Sequence, residues 1–251
     1  MQLSVSQPTK TAISGSAFYK QAAAMNWKQR DSFAVKEILS GNLPSFLKKM
    51  IAVNLSIIDS STGKPIKATI YVTADYLSIG NDDDWARVPL TPMAAQQIAD
   101  SFHCFLPTKK IVDEIYKGAT IKLEPAPMFA FRDSTPTMYQ HHLIIEGQRK
   151  QQKGLIAGIK KDVILSEKLF NPSQKNNVAI YGWHLLNGKP IQPVYTGHIN
   201  WYVDYSHGIR LIYEQIKVNG KWMHYTEVLK HSVLYQLLTN EPLTSFLRYS
   251  L

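Results

Sequence analysis

RLIYEQIKVNGKWMHY, residues 210–225, decides the fold class. Two runs with β-branched and aromatic residues flank Asn219-Gly220, the dipeptide that most readily supplies the positive φ values of a tight antiparallel turn. Residues 210–217 are therefore expected to pair with residues 221–225. Helical patterns come before this hairpin, and further strand patterns sit beside it. That order points to an α+β chain rather than a doubly wound parallel sheet. The expectation is a helical N-terminal part packed on a mostly antiparallel, hairpin-rich sheet built largely from the C-terminal half.

Upstream of the hairpin, residues 177–183 read as a strand, residues 187–189 (Asn-Gly-Lys) as a hairpin-type turn, and residues 154–165 as strand around Lys160, Lys161 and Asp162. Ile51, Val53, Leu55 and Ile57 alternate along residues 51–58, and residues 66–73 return after a turn at 60–64, so a second hairpin is expected. Two helices fit residues 16–41, the second capped by Asp31 or Ser32 and stopped by Gly41, with a short helix after Pro44. Thr91 and Pro92 open a helix with the stripe Ala95, Ile98, Ala99 and Phe102. A second begins near Pro107 or Thr108, turns Ile111, Val112, Ile115 and Tyr116 inward, and ends at Gly118. Residues 137–152 suit a helix capped by Thr135 or Thr137, on which His142 and Glu146 share a face. Thr226 caps a last helix carrying Val228, Leu229, Val233, Leu234, Leu237 and Leu238. Asp82 to Asp84 lack the spacing of a calcium loop and read as a solvated turn. Residues 240–250 echo residues 42–50 too briefly to make a repeat.

The chain reads as one compact domain over residues 1–251: a helix-rich lobe at about 15–120, a sheet-rich lobe at about 137–251, and a proline-rich strap over 121–136. With 251 residues, 45% of them hydrophobic, it can bury a full core. It has no apolar run of the roughly 18 residues that cross a bilayer. No basic-then-apolar leader opens the chain, so a periplasmic or secreted location requires that one has been removed, and a cytoplasmic one is the alternative. A formal charge of +9 favours an acidic partner such as a wall polymer. The lysines are scattered rather than striped, which argues against nucleic acid. The single cysteine, Cys104, excludes an internal disulfide and any site of several thiolates.

The chemistry concentrates in residues 178–212, VAIYGWHLLNGKPIQPVYTGHINWYVDYSHGIRLI. His207 is the expected base, oriented by Asp204 and assisted by His184 or His198, with Ser206 or Cys104 as nucleophile. Alternation places Asp204 and Ser206 on one face. Trp183, Trp201, Tyr181, Tyr195, Tyr202 and Tyr205 supply stacking surfaces. A single divalent metal such as zinc is compatible with His184, His198 and either Asp204 or His207, although the spacing matches no established ligand pattern. Cys104, in a helix-to-helix joint, is either a nucleophile activated by a helix N-terminus or a small buried residue.

Ser206-His207-Gly208-Ile209-Arg210-Leu211, preceded by Val178-Ala179-Ile180-Tyr181-Gly182, resembles the closing signature of the L,D-transpeptidases, which cross-link peptidoglycan. The likeness implies a base at His207 and a ligand-binding role for Arg210. The family's nucleophilic cysteine would fall between Gly208 and Ile209 and is absent, and Tyr181 stands where the first motif has histidine. Covalent acyl-enzyme chemistry therefore cannot run at that position. The expected function is a cell-envelope hydrolase or transferase acting on a peptide or glycan. The alternatives are a non-catalytic peptidoglycan- or carbohydrate-binding protein with an aromatic-lined cleft and, last, a nucleic-acid binder.

Overall fold

The computed structural model describes residues 1–6, 8, 12–241 and 247–251. Helix α1 (Gly15–Ala22) is capped by Ser14, whose hydroxyl accepts the Ala17 amide. Helix α2 (Trp27–Leu39) opens on a capping box in which Asn26 accepts the Gln29 amide and Gln29 accepts the Asn26 amide. It thus starts before the expected caps Asp31 and Ser32. Asp31 lies inside the helix and accepts from Arg30 and from the Thr91 amide. Gly41 stops the segment at φ +85°.

After α3 (Ser45–Lys48), β1 (Ile51–Ile58) and β2 (Pro65–Val72) form the expected hairpin, with Ile51 opposite Val72. Then follow β3 (Ser78–Gly80), β4 (Trp85–Arg87), α4 (Pro92–Ser101), β5 (Cys104–Phe105), α5 (Lys109–Gly118), β6 (Ile121–Lys122) and α6 (Thr135–Arg149). Thr91 and Thr108 cap α4 and α5 through their side chains, as their positions before the apolar stripes require. The C-terminal half holds β7 (Ile156–Ala157), β8 (Lys161–Val163), β9 (Asn177–His184), β10 (Pro190–Ile199), β11 (His207–Gly208), β12 (Ile212–Tyr213), β13 (Gln215–Val218), β14 (Lys221–His224), α7 (Tyr225–Lys230) and α8 (Tyr235–Leu238).

The fold is α+β. One sheet runs β14-β13-β2-β12-β5 with β1 on β2, and the β13–β14 pair is the hairpin expected at Asn219-Gly220. The other runs β10-β9-β8-β11, antiparallel except for the β11–β8 pair. Phe18, Ile38, Ile70, Phe105, Ile111, Ile180 and Ile216, drawn from both halves, belong to a single buried apolar cluster. No helix among the described residues is long and apolar enough to cross a membrane.

Several boundaries differ from expectation for local reasons. Ser134, not Thr135 or Thr137, caps α6, and Lys150 in the left-handed region ends it. Its His142 and Glu146 do not meet as a pair, because both turn to Arg87. Residues 154–165 yield only the short strands β7 and β8. The last helix is capped by His224 rather than Thr226 and breaks into α7 and α8. Cys104 lies in the joint between α4 and α5, as expected, where the chain forms the short strand β5. Residues 202–206 form no strand; Asp204 and Ser206 are buried and Tyr202 is half-buried. Of the brief echo over residues 240–250, residues 242–246 lie outside the described residues.

Candidate functional site

A cleft of about 690 Å³ opens between α5 and the β9–β10 hairpin, lined by Lys109, Asp113, Tyr116, Lys122, Tyr181, His184 and the turn at Asn187-Gly188. Asp113 organises it. Its Oδ1 accepts the Tyr181 hydroxyl at 2.7 Å and lies 3.2 Å from His184 Nε2, while Oδ2 accepts Lys109 Nζ at 2.8 Å. Burial works to raise the Asp113 carboxyl, but hydrogen bonds from His184, Lys109 and Tyr181 outweigh it and hold the pKa at about 2. The His184 ring is clamped, stacked on Tyr116 at 4.5 Å and edge-on to Tyr181 at 5.7 Å. With Nε2 donating to Asp113, Nδ1 is the acceptor, and it takes no hydrogen bond among the described residues.

Tyr181 and His184 reach one carboxylate only because β9 is kinked between them. Residues three apart on a regular strand point to opposite faces. Gly182 at φ +111° and Trp183 at φ +56° rotate the chain, so that His184 joins Tyr181 on the α5 side. Trp183 instead lies against Lys161 and Tyr205. A left-handed tryptophan is sterically costly and persists only where surrounding contacts enforce it. Gly182→Ala is expected to destabilise the fold by about 1–3 kcal/mol, because an L-residue at this φ is strained. Urea denaturation measures it, and a variant as stable as the parent would show that the kink stores no strain.

A second cluster lies in and beside β8 and β11. Asp204 accepts the Ser206 hydroxyl at 2.5 Å and Arg132 Nη2 at 3.0 Å, and His207 Nε2 is 4.0 Å from its Oδ1. Burial again works to raise Asp204, and the His207 imidazole, the Ser206 hydroxyl and amide, and Lys161 together hold it at about 2. His207 is 1% exposed, and its Nε2 is buried without a partner. The half-buried His198 stands 5.9 Å away, centre to centre, with Tyr202 packed on both imidazoles. Lys160, also buried, approaches His141 Nδ1 at 3.2 Å and donates to the Tyr205 carbonyl.

This cluster makes stability depend on pH. Burial pushes His207 down to about 4 and His142 to about 3, and lowers His141 as well. Between pH 6.5 and those values the unfolded chain binds protons that the folded chain refuses, so stability falls as pH falls. Asp162, raised to about 6 by burial, works in the opposite sense between pH 6 and 4. For His207, His142 and Asp162 together the net loss from pH 7 to pH 5 is roughly 2–3 kcal/mol. Lys160, pushed down to about 7 by burial and the Arg87 charge, adds stability as pH rises above 7. A thermal midpoint that rises from pH 5 to pH 9 is expected. A flat profile would mean that water reaches these groups.

The structure thus divides the residues that the sequence grouped. His198, Asp204, Ser206 and His207 come together, as do Tyr181 and His184 in a different place. Cys104 is in neither: it is buried, bonds the Phe102 carbonyl, and has its thiol pushed up by burial and by Glu214. The nucleophile reading of Cys104 is thereby corrected, because an activated thiol needs a lowered pKa and access. Arg210, 1% exposed, donates to the Thr73 and Ile156 carbonyls at 2.8 and 2.7 Å and ties three segments together. Gly208 is needed for packing, since a Cβ there would lie 2.5 Å from Tyr76. Tyr205 is fully buried, and its hydroxyl bonds both the amide and the carbonyl of Met128, fastening the strap. Trp183 is buried with Nε1 unpartnered, whereas Trp201 is exposed beside Trp27.

Among the described residues, no three His, Cys, Asp or Glu side chains converge as a metal site would require. Asp113, Arg132, Lys161 and Trp27 are site residues that the sequence reading missed. The one available signal was the i,i+4 pair of Lys109 and Asp113 on α5. Comparison with known proteins finds no family model, curated sequence or solved structure that matches this chain.

Proposed function

We propose that this protein is a hydrolase or transferase acting on a peptide or glycan of the peptidoglycan kind, with the Asp113–His184 pair as its base. The observation that carries this reading is an imidazole, 3% exposed, oriented by an ionised carboxylate at 3.2 Å in the wall of a cleft of about 690 Å³. His184 Nδ1 takes a proton from water as the oxygen adds to the scissile centre. Asp113 stabilises the imidazolium, which returns the proton to the leaving group. Lys122, set over the Tyr116 ring at 4.9 Å, adds positive charge to the same cleft, where negative charge would develop. The net charge of +9 suits an acidic wall polymer and an envelope location.

His207 with Asp204 is the competing base. It is the weaker candidate, because its Nε2 lies 4.0 Å from Asp204 without a hydrogen bond, whereas His184, also buried at 3% exposed, bonds its carboxylate and lines the cleft. A binding role without turnover is favoured by another observation. Ser206 donates to Asp204, Tyr181 to Asp113 and Cys104 to Phe102, so none of these hydroxyl or thiol groups donates to an imidazole. Incubation with purified peptidoglycan and chromatography of the muropeptides separates these readings. New products that vanish in His184→Ala support the cleft. Products lost only in His207→Ala transfer the chemistry to the buried pair. Co-sedimentation without new products leaves a binding protein.

A further inference from the structure

Trp27, at the first turn of α2, and Trp201, in the turn after β10, hold their indoles within 18° of parallel with ring centres 6.5 Å apart. Both line a hollow of about 300 Å³, separate from the cleft, whose walls include Tyr202, Asp133, Ser134 and Thr135. Trp201 remains 45% exposed. Leaving so large an apolar ring in water forgoes the gain of burying it, and a second indole beside it makes a place where a ligand ring recovers that gain. The hollow adjoins the imidazole cluster, because the Tyr202 ring is 4.6 Å from His198 and 6.1 Å from His207.

We infer that this hollow is a subsite for one pyranose ring of a glycan. A pyranose has an apolar C–H face for the indoles and a rim of hydroxyls that need acceptors. Asp133, which makes no hydrogen bond or ion pair among the described residues, offers two carboxylate oxygens at that rim. Lys28 Nζ lies 5.5 Å from the centre of the Trp27 ring, but the lining of the hollow itself offers an anion little. Arg30, the only cationic side chain in the lining, is committed to Asp31 at 3.1 Å, and Asp133 repels phosphate. The capacity suits a single ring, lying at the lower end of ligand pockets. The subsite deepens the glycan reading above and rests on it for the identity of the polymer.

The test is titration of the whole protein with a tetramer of N-acetylglucosamine, read calorimetrically and by tryptophan fluorescence. Trp201→Ala and Asp133→Asn are each expected to weaken binding about tenfold, or ~1.4 kcal/mol. Trp201→Phe should retain most of the affinity. Trp222→Ala, at an indole 48% exposed on the other sheet, should change nothing. No binding by the parent, equal binding by Trp201→Ala, or tighter Trp201-dependent binding of adenosine monophosphate would each overturn the subsite. Titration is independent of turnover, so Trp201-dependent binding with unchanged muropeptides upholds the subsite while the catalytic reading fails. His184-dependent turnover with no effect of Trp201→Ala on KM or binding does the reverse.

Discussion

Arg87→Met is expected to cost about 3–5 kcal/mol of folding stability, the largest effect of any single substitution considered for this chain. The guanidinium is 1% exposed and makes a bidentate pair with the fully buried Asp75, Nε to Oδ1 at 3.0 Å and Nη2 to Oδ2 at 2.6 Å. It also reaches Glu146 at 2.8 Å and lies over the Trp85 ring at 5.0 Å, joining β4 to α6. Burial works to raise the Asp75 carboxyl, and Arg87 is the main group that keeps it low. Remove the cation and Asp75 must either stay charged without a partner or take up a proton, and both cost free energy. The penalty comes mostly from the orphaned partner. Arg87→Met combined with Asp75→Leu should therefore recover a large part of the loss. Urea unfolding of both variants decides the matter. A single variant within about 1 kcal/mol of the parent, or a double variant as damaged as the sum of the singles, would contradict this account of the network.

The second large effect is on turnover. Under the proposed hydrolase reading, His184→Ala is expected to lower kcat on a wall fragment by about 10²–10⁴-fold, the range of a positioned general base. Asp113→Asn should fall in the same direction. The neutral amide no longer stabilises the imidazolium and no longer holds Lys109 by charge. Tyr181→Phe should be milder, because it removes one hydrogen bond to Asp113 and leaves the Asp113–His184 contact in place. KM should change less than kcat in all three, since the lost interactions act on the reacting proton rather than on the bound polymer. His207→Ala supplies the contrast, as its main expected effect is on packing and on the acid branch of stability. If turnover survives His184→Ala and is lost in His207→Ala at unchanged stability, the base has been placed in the wrong cluster.

Much of the architecture was legible because its signals are local. Asn219-Gly220 specifies a tight turn within four residues, and β13 and β14 pair across it as expected. Thr91 and Thr108 announce α4 and α5 because a cap needs only the next turn of chain. Boundaries failed where a neighbouring cap was stronger. The Asn26–Gln29 box starts α2 before Asp31, and Ser134 starts α6 before Thr137. The alternation read along residues 202–212 gave no strand at 202–206 for a different reason. Apolar alternation was legible there, but the chain turns so that Asp204 can accept Ser206 and Arg132.

The candidate sites were legible as residue types and not as partnerships. Histidines, a carboxylate and tryptophans in residues 178–212 advertised chemistry, yet His184 is served by Asp113 of α5 and not by Asp204. That pairing depends on the reversed φ of Gly182 and Trp183, and no pattern in the letters reveals which face a kinked strand will show. Arg210 looked like a ligand-binding group in a motif and instead bonds two backbone carbonyls in the core.

Sequence alone, then, determined the α+β class, the hairpins and the caps that open α4 and α5, since each rests on interactions a few residues long. Tertiary structure decided that His184 lines the cleft, that Cys104 is buried away from it, and that Trp27 meets Trp201. Contacts between residues seventy or more positions apart follow from how helices and sheets pack as bodies. That packing sums many weak apolar contacts over the whole chain, so no short window of residues contains it.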